Sequence, residues 1–279
     1  MLRVYLHGVR GSVPSPDPEM ARYGGDTTSF EVDLGTPDHR LLIDCGTGLR
    51  HVSLNLDESS EARFDILLSH FHWDHLEGLG FFPPLFRDGQ HFNFYGRPEG
   101  MSPREALEGA LCQPWFPVGL SETPATKTYT TLEGGAFTIA DVEIRPLPLH
   151  HPQGVMGYRL ERDGRSLVIA TDHEIGNPDI DRAMVEWAGG ADVLLHDAQY
   201  TAADYEAHRG WGHSTWERAI EIARAADVGE LVMVSHDPSR TDAQIDALVA
   251  EARQHFPALS AGRAGSVITL DPPTPANEV

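Results

Sequence analysis

Three imidazoles and a carboxylate stand within one short stretch of this sequence, Ser69-His-Phe-His-Trp-Asp-His75. Imidazole nitrogen and carboxylate oxygen are the usual donors to zinc, so divalent-metal chemistry is the first implication. The run before the stretch, Phe64-Asp-Ile-Leu-Leu68, is apolar in the manner of a buried strand, and Leu76-Glu-Gly-Leu-Gly-Phe-Phe82 after it has the spacing of a short amphipathic helix. The motif therefore lies where a strand ends. In extended chain, residues two apart point the same way, which lets His70 and His72 grip one cation, while the turn that follows sends Asp74 and His75 towards a second. A polar, His-rich surface loop is the plainer account of the same residues.

The elements that must position such a site repeat one pattern, an apolar run ending in His or Asp. Arg40-Leu-Leu-Ile43 ends at Asp44 before Gly46 and Gly48; Val142 to Leu149 runs into His150-His151-Pro152; Leu167 to Thr171 ends in Asp172; Val193 to His196 ends in Asp197; Leu231 to Ser235 ends in His236. Ligand sites in α/β sheets collect at strand ends. One such ending is common, but several with metal-ligating side chains are not easily dismissed as solvated turns. Spacing alone does not separate His150 from His151, and Asp44 taken singly reads equally well as a turn carboxylate. In Gly210-Trp-Gly-His-Ser-Thr-Trp-Glu217, Ser214 and Glu217 are spaced as a capping box, which predicts a helix through Ile220 and Ala223 and puts His213 just before its N-terminus. A surface histidine at a helix start is the competing account.

Elsewhere, Leu2–Val9 and Ser29–Leu34 read as strands around a Gly/Pro-rich loop, and a final helix from Thr241 to about His255 precedes a strand at Val267–Leu270. The segment 81–130 is rich in aromatics and proline and is expected as an insertion walling the site, with a capping box at Ser102-Pro-Arg-Glu105. Without internal repeats or a Ser/Gly linker, 1–270 is expected as a single domain, and the Pro-rich tail 271–279 as frayed. The formal net charge of −21 argues against a protein that holds long nucleic acid by backbone neutralisation, whereas a locally positive metal site can still take a small anionic substrate. Cys45 and Cys112 are too few for a disulfide framework, and Met1-Leu-Arg-Val-Tyr-Leu-His-Gly-Val-Arg-Gly11 lacks a signal-peptide core or membrane span. A cytoplasmic protein without membrane attachment is expected, and a homodimer is compatible with it.

An HxHxDH motif after an apolar strand resembles that of the metallo-β-lactamase-fold hydrolases, the match falling on His70, His72, Asp74 and His75. The resemblance covers nearly the whole chain and implies an α/β fold, the four-layered αββα sandwich, with two metals between the edges of two sheets. It implies that His70, His72 and His151 hold the first metal, Asp74, His75 and His236 the second, and that Asp172 bridges both; His151 is taken because His151-Pro-Gln-Gly154 resembles the family's His-Pro segment. Asp44 becomes an acceptor that orients a ligand imidazole. His196-Asp-Ala-Gln-Tyr200 and Gly-Trp-Gly-His213-Ser resemble segments of the phosphodiesterase branch, which includes the transfer-RNA 3′-end endonucleases and the cyclic phosphodiesterases of phosphonate breakdown. There His213 would protonate the leaving group, Asp197 would orient it, and Asp74 would complete the catalytic set.

His196, beside Asp197, either supports the site or is a buried neutral imidazole. The endonucleases carry Glu in place of Asp197 and a basic Gly/Pro-rich arm that this chain lacks, which favours a small or cyclic phosphodiester. Asp26 stands where the family tends to carry Asn. His72 stands where the oxidoreductase branch usually has Glu, which disfavours a di-iron flavoprotein partner. Two divalent ions roughly 3.5–4 Å apart would make hydroxide available near neutral pH, zinc first, with manganese or iron also fitting the donor set. An ester, thioester or lactone hydrolase would need His213 less, and a non-catalytic metal-binding sensor not at all. His7, His39, His51, His91, His173, His208 and His255 are expected as surface or packing residues.

Overall fold

The computed structural model describes residues 1–54, 56 and 61–273. The first half of the chain forms β1 (Leu2–Gly8), β2 (Ser29–Val32), β3 (His39–Ile43), α1 (Leu49–Ser53), β4 (Arg63–Leu67), β5 (His91–Gly96), α2 (Pro103–Ala110) and β6 (Thr126–Thr131). The second forms β7 (Phe137–Ile139), β8 (Val142–Leu149), β9 (Val155–Arg162), β10 (Arg165–Ala170), α3 (Pro178–Ala188), β11 (Val193–Asp197), α4 (Ala202–His208), α5 (Trp216–Ala225), β12 (Glu230–Val234), α6 (Asp242–His255), β13 (Leu259–Ala261) and β14 (Ser266–Leu270). They build two seven-stranded sheets, ordered β14-β1-β2-β3-β4-β5-β6 and β13-β12-β11-β10-β9-β8-β7.

The central strands are apolar on both faces, and successive side chains divide between two cores. In β10, Leu167 and Ile169 enter the core between the sheets while Val168 and Ala170 face the layer containing α3, α5 and α6. β12 divides in the same way, Val232 and Val234 inward and Leu231 and Met233 outward. In the other sheet Leu67 points to the shared core, and Phe64, Ile66 and Leu68 pack with Leu49, Leu107 and Phe82 on the outer side. Three apolar layers need four layers of elements, and the result is the αββα sandwich. Pro146 and Pro148 are tolerated in β8 because its partner β7 reaches only to Ile144, so the missing N–H groups break no bond on that side.

β3 to β6 run parallel to one another, as do β10 to β13, so the strands that end in Asp44, Ser69, Asp172, Asp197 and His236 deliver those residues to one edge. The segment 81–130 is only partly an insertion: β5 and β6 are strands of the first sheet, and what stands outside it is the stretch between them with α2. Leu76–Phe82 winds as tight 3-10 turns, not as an α-helix. The Gly78 N–H donates to the Cys45 carbonyl at 2.9 Å and the His75 carbonyl accepts the Cys45 N–H at 2.8 Å, so peptide groups that an α-helix would bond internally are spent on the turn after β3. Of the expected frayed tail, 274–279 lies outside the described residues. Among the described residues no helix is long and apolar enough to cross a membrane.

Leu195, fully buried in the core between the sheets, supports a direct test of this packing. Leu195→Ala should lower the unfolding free energy by about 2–5 kcal/mol, measured by urea denaturation.

Candidate metal centre

The site is built outward from Asp44, which follows β3 in a left-handed conformation (φ 60°). Its Oδ1 accepts the Ser69 N–H at 2.7 Å, and its Oδ2 accepts the Ser69 hydroxyl at 2.7 Å and His75 Nδ1–H at 2.8 Å. This carboxylate ties the end of β3 to the loop after β4 and holds His75 by Nδ1, so that its Nε2 is turned inward. The other imidazoles follow the same rule. His70 Nδ1 lies 3.0 Å from Ser69 Oγ, His72 Nε2–H donates to Gln153 Oε1 at 2.8 Å, and His151 Nδ1–H donates to the Gly212 carbonyl at 2.8 Å.

What they turn inward converges. The Nε2 atoms of His70 and His75 are buried without a hydrogen-bond partner, and they lie 3.7 and 3.3 Å from Asp172 Oδ2. His72 Nδ1 and His151 Nε2 approach to 3.1 Å. Donor atoms within 4.8 Å of one another form three groups: His70, His72 and His151; His70, His75 and Asp172; and Asp172, Asp197 and His213. Asp74 borders the second group, its Oδ2 3.3 Å from His75 Nε2 while accepting the Ser12 N–H at 3.0 Å.

The charges are interdependent. Burial drives His70 well below the usual imidazole range, helped by His75 beside it. Burial would also lower His75, but Asp74, Asp172 and Asp44 hold it well above that range. Asp172, which burial alone would raise, is held well below the carboxylate range by His75, His213 and His70. The three carboxylates around His75 thus favour positive charge at this point, the role a divalent ion among the same donors would take. Orphaned imidazole nitrogens facing a buried carboxylate fit such an ion.

Asp197 Oδ2 accepts His213 Nδ1–H at 2.7 Å, and its Oδ1 accepts the Ser214 N–H at 2.8 Å and the Gln199 N–H at 3.2 Å. Burial would lower His213, yet Asp197 and Asp172 push it up to about 9. Gly212 is required here: at φ 92°, a side chain on it would sit 2.0 Å from His151 Nδ1.

Several expectations are corrected. His236 is buried after β12, but its Nε2–H donates to the Gly262 carbonyl at 2.9 Å, and its ring packs edge-on to Tyr23; it belongs to none of the three donor groups. By contrast, His151 faces the cluster as expected, while His150 Nδ1 is bonded to the Glu174 carbonyl at 3.0 Å. The cap of α5 is Thr215, whose side chain accepts the Arg218 N–H. Ser214 is diverted: its hydroxyl accepts the Ile175 N–H at 3.1 Å and donates to the His173 carbonyl. Asp26 pairs with His51 Nε2 at 2.8 Å. Ser69 and Gln153 were not foreseen as partners of ligand imidazoles, although each sits within or beside a His motif.

Residues 39–236 match the family model described as the beta-lactamase superfamily domain. The chain belongs to this superfamily. Among superfamily relatives, a ribonuclease BN of Escherichia coli is 28% identical over 269 residues, covering 78% of this chain and 85% of the relative. A ribonuclease Z of Picosynechococcus is 27% identical over 267 residues, covering 77% and 82%. The crystal structure of a diphosphatase from the PhnP family superposes with a TM-score of 0.70 at 18% identity, covering 97% of this chain and 98% of that one, a likeness of fold.

His196 is fully buried, its Nδ1–H donates to the Asp197 carbonyl at 2.7 Å, and burial lowers it to about 4. An unfolded chain takes up this proton near pH ~6.5, so the stability that a neutral buried His196 confers above that pH is lost as the pH falls towards about 4. Urea denaturation at pH 7 and pH 5 should show His196→Asn losing less stability on acidification than the wild type.

Proposed function

We propose that this protein is a metal-dependent phosphodiesterase whose His70, His72 and His151 hold one divalent ion and whose Asp74, His75 and Asp172 hold a second, with Asp172 shared between them. The observation that carries this reading is the pair of buried, partnerless Nε2 atoms of His70 and His75 facing Asp172, with the His213–Asp197 pair joined to the same carboxylate. Divalent ions in such a setting act as Lewis acids on phosphoryl oxygen and lower the pKa of water. Zinc suits a donor set of imidazole and carboxylate without thiolate, and manganese or iron is distinguished from it by elemental analysis of protein purified without added metal.

The chain's own groups supply the proton transfers. As water oxygen bonds to phosphorus and the ester P–O bond breaks, His213 gives its Nε2 proton to the departing oxygen, and Asp74 takes the proton that the water loses. Asp197 holds Nδ1 and stabilises the imidazolium before transfer, so the acid is loaded at neutral pH. This need for an acid is what separates a phosphodiester with a poor leaving group from an activated acyl ester. His213→Ala should retain its metal and lose about 10²–10⁴-fold in kcat on a diester with an alkoxide leaving group, and far less on bis(p-nitrophenyl) phosphate. Equal losses on both, or loss of metal, would contradict the acid role.

The substrate we favour is a small or cyclic phosphodiester, because the formal net charge of −21 opposes a long polyanion. The names of the two ribonuclease relatives pull the other way and make RNA the second reading. A metal-replete assay of cyclic nucleotides, linear dinucleotides, acyl esters and a structured RNA separates them. Turnover of the small diesters with little cleavage of RNA is expected, RNA as the better substrate reverses the choice, and preference for acyl esters rejects the phosphodiesterase reading.

A further inference from the structure

Two residues beyond Asp172 lies a carboxylate that the chemistry above does not use. Glu174 is buried, and both its oxygens are spent on one loop: Oε1 accepts the Tyr205 hydroxyl at 2.6 Å and the Gly210 N–H at 2.7 Å, and Oε2 accepts the Gly212 N–H at 2.8 Å. That loop ends in His213. Gly212, gripped through its N–H, is also the residue whose carbonyl holds His151 Nδ1 at 2.8 Å. Glu174 itself hangs from the strand end that presents Asp172, and its own N–H donates to the His150 carbonyl at 2.8 Å. Glu174 thus ties the Asp172 turn to the loop carrying the acid, beside the Ser214 hydroxyl, which bridges the same two segments through the Ile175 N–H and the His173 carbonyl.

The loop has few other means of holding still. Gly210 and Gly212 both have positive φ, and Trp211 between them is exposed. Besides the Gly212 carbonyl bonded by His151, its anchors are the Trp211 N–H to the His208 carbonyl at 3.0 Å and the packing of the Trp211 ring against His208 at 4.8 Å between centroids. The last two lead back to α4, the helix that contributes Tyr205. Two glycines with one residue between them make a flexible tether, and a carboxylate accepting the N–H groups of both removes that freedom. A neutral amide in its place would turn an NH2 group towards one of the loop N–H groups and so release part of the grip.

We propose that Glu174 is a positioning residue for the general acid: it latches the Gly210–Gly212 loop so that His213 stands over the leaving-group oxygen. This rests on the phosphodiesterase reading with His213 as acid. A misplacement of about 1 Å at a reacting group can cost roughly a hundredfold in rate, so the latch acts on kcat and selectively on substrates that need the proton.

The test compares wild type, Glu174→Gln, Tyr205→Phe, His213→Ala and the Glu174→Gln/His213→Ala double variant at saturating metal, on a linear dinucleotide and on bis(p-nitrophenyl) phosphate. Glu174→Gln should lose roughly ten- to hundredfold in kcat on the dinucleotide with KM little changed, and less than about threefold on the aryl diester. Tyr205→Phe, which removes one of the three bonds, should show the same selectivity at smaller size. On the dinucleotide the double variant should be no slower than His213→Ala, because a latch has nothing left to position once the acid is gone. Equal losses on both substrates, or additive losses in the double variant, would overturn the latch and leave Glu174 a structural group. If Glu174→Gln does not fold, Tyr205→Phe decides by the same ratio. A wild type inactive on both diesters sinks the phosphodiesterase reading and the latch with it; an active wild type with an unaffected Glu174→Gln sinks the latch alone.

Discussion

Asp172 is the constraint around which the molecule is arranged. A carboxylate buried to this degree is costly unless opposite charge or donors surround it, and here the groups around it come from separate parts of the chain: His70 and His75 from the loop after β4, His213 from the loop before α5, and the Ser235 hydroxyl at 3.2 Å from the turn after β12. The two sheets are joined at their common edge by the same contacts. Met156 N–H reaches the Ser69 carbonyl at 2.8 Å, and the Tyr158 hydroxyl reaches the Leu68 carbonyl at 2.6 Å, so the metal motif is fastened to the opposite sheet on both sides of Ser69. Binding chemistry and the cohesion of the sandwich are therefore one problem, solved at one place.

The cost of that solution is visible in the backbone. Asp44, Gln153, Asp172 and Ser235 all adopt positive φ without being glycine, and all adjoin the cluster. Conformations of this kind persist where the surroundings over-determine them. Asp44 shows how: its carboxylate is fully engaged by Ser69 and His75, so a turn of ordinary appearance becomes the support of a ligand ring. Gln153 does the same for His72. The imidazoles of His70, His72, His75 and His151 thus have their outward nitrogens engaged by the protein, and partners of this kind fix the orientation of a ring.

How much of this the sequence discloses depends on how local the cause is. His70, His72, Asp74 and His75 share one loop, so their spacing speaks for them, and Asp172 and Asp197 are legible because apolar runs end at them. The four layers are implied by the family resemblance, and strands apolar at consecutive positions are their physical basis in the structure. The failures are all decided by a distant partner. The orientation of His236 is set by the carbonyl of Gly262, brought alongside by β13; the cap of α5 shifts from Ser214 to Thr215 because His173 and Ile175 claim the Ser214 hydroxyl; and Leu76–Phe82 does not form α-helix because Cys45 claims the Gly78 N–H and the His75 carbonyl. The choice of His151 over His150 rested on likeness to a known segment, since two adjacent imidazoles differ in direction only once the Glu174 and Gly212 carbonyls are in place. Glu174 left no pattern at all, because its two peptide partners lie 36 and 38 residues away.

The pairing of the first strand with the last has a consequence for biosynthesis. β1 lies between β2 and β14, Leu2 opposite Leu270, so β1 cannot complete its pairing until β14 has been made. Fully buried Arg10 is in the same position, since two of the carbonyls it caps belong to Asp237 and Arg240. On the ribosome, where chains emerge at about 5–20 residues per second, His70 leaves the exit tunnel well before Asp172 and His213 exist. The nascent chain thus carries a histidine-rich loop with no enclosing wall until the strands of the second sheet have been made.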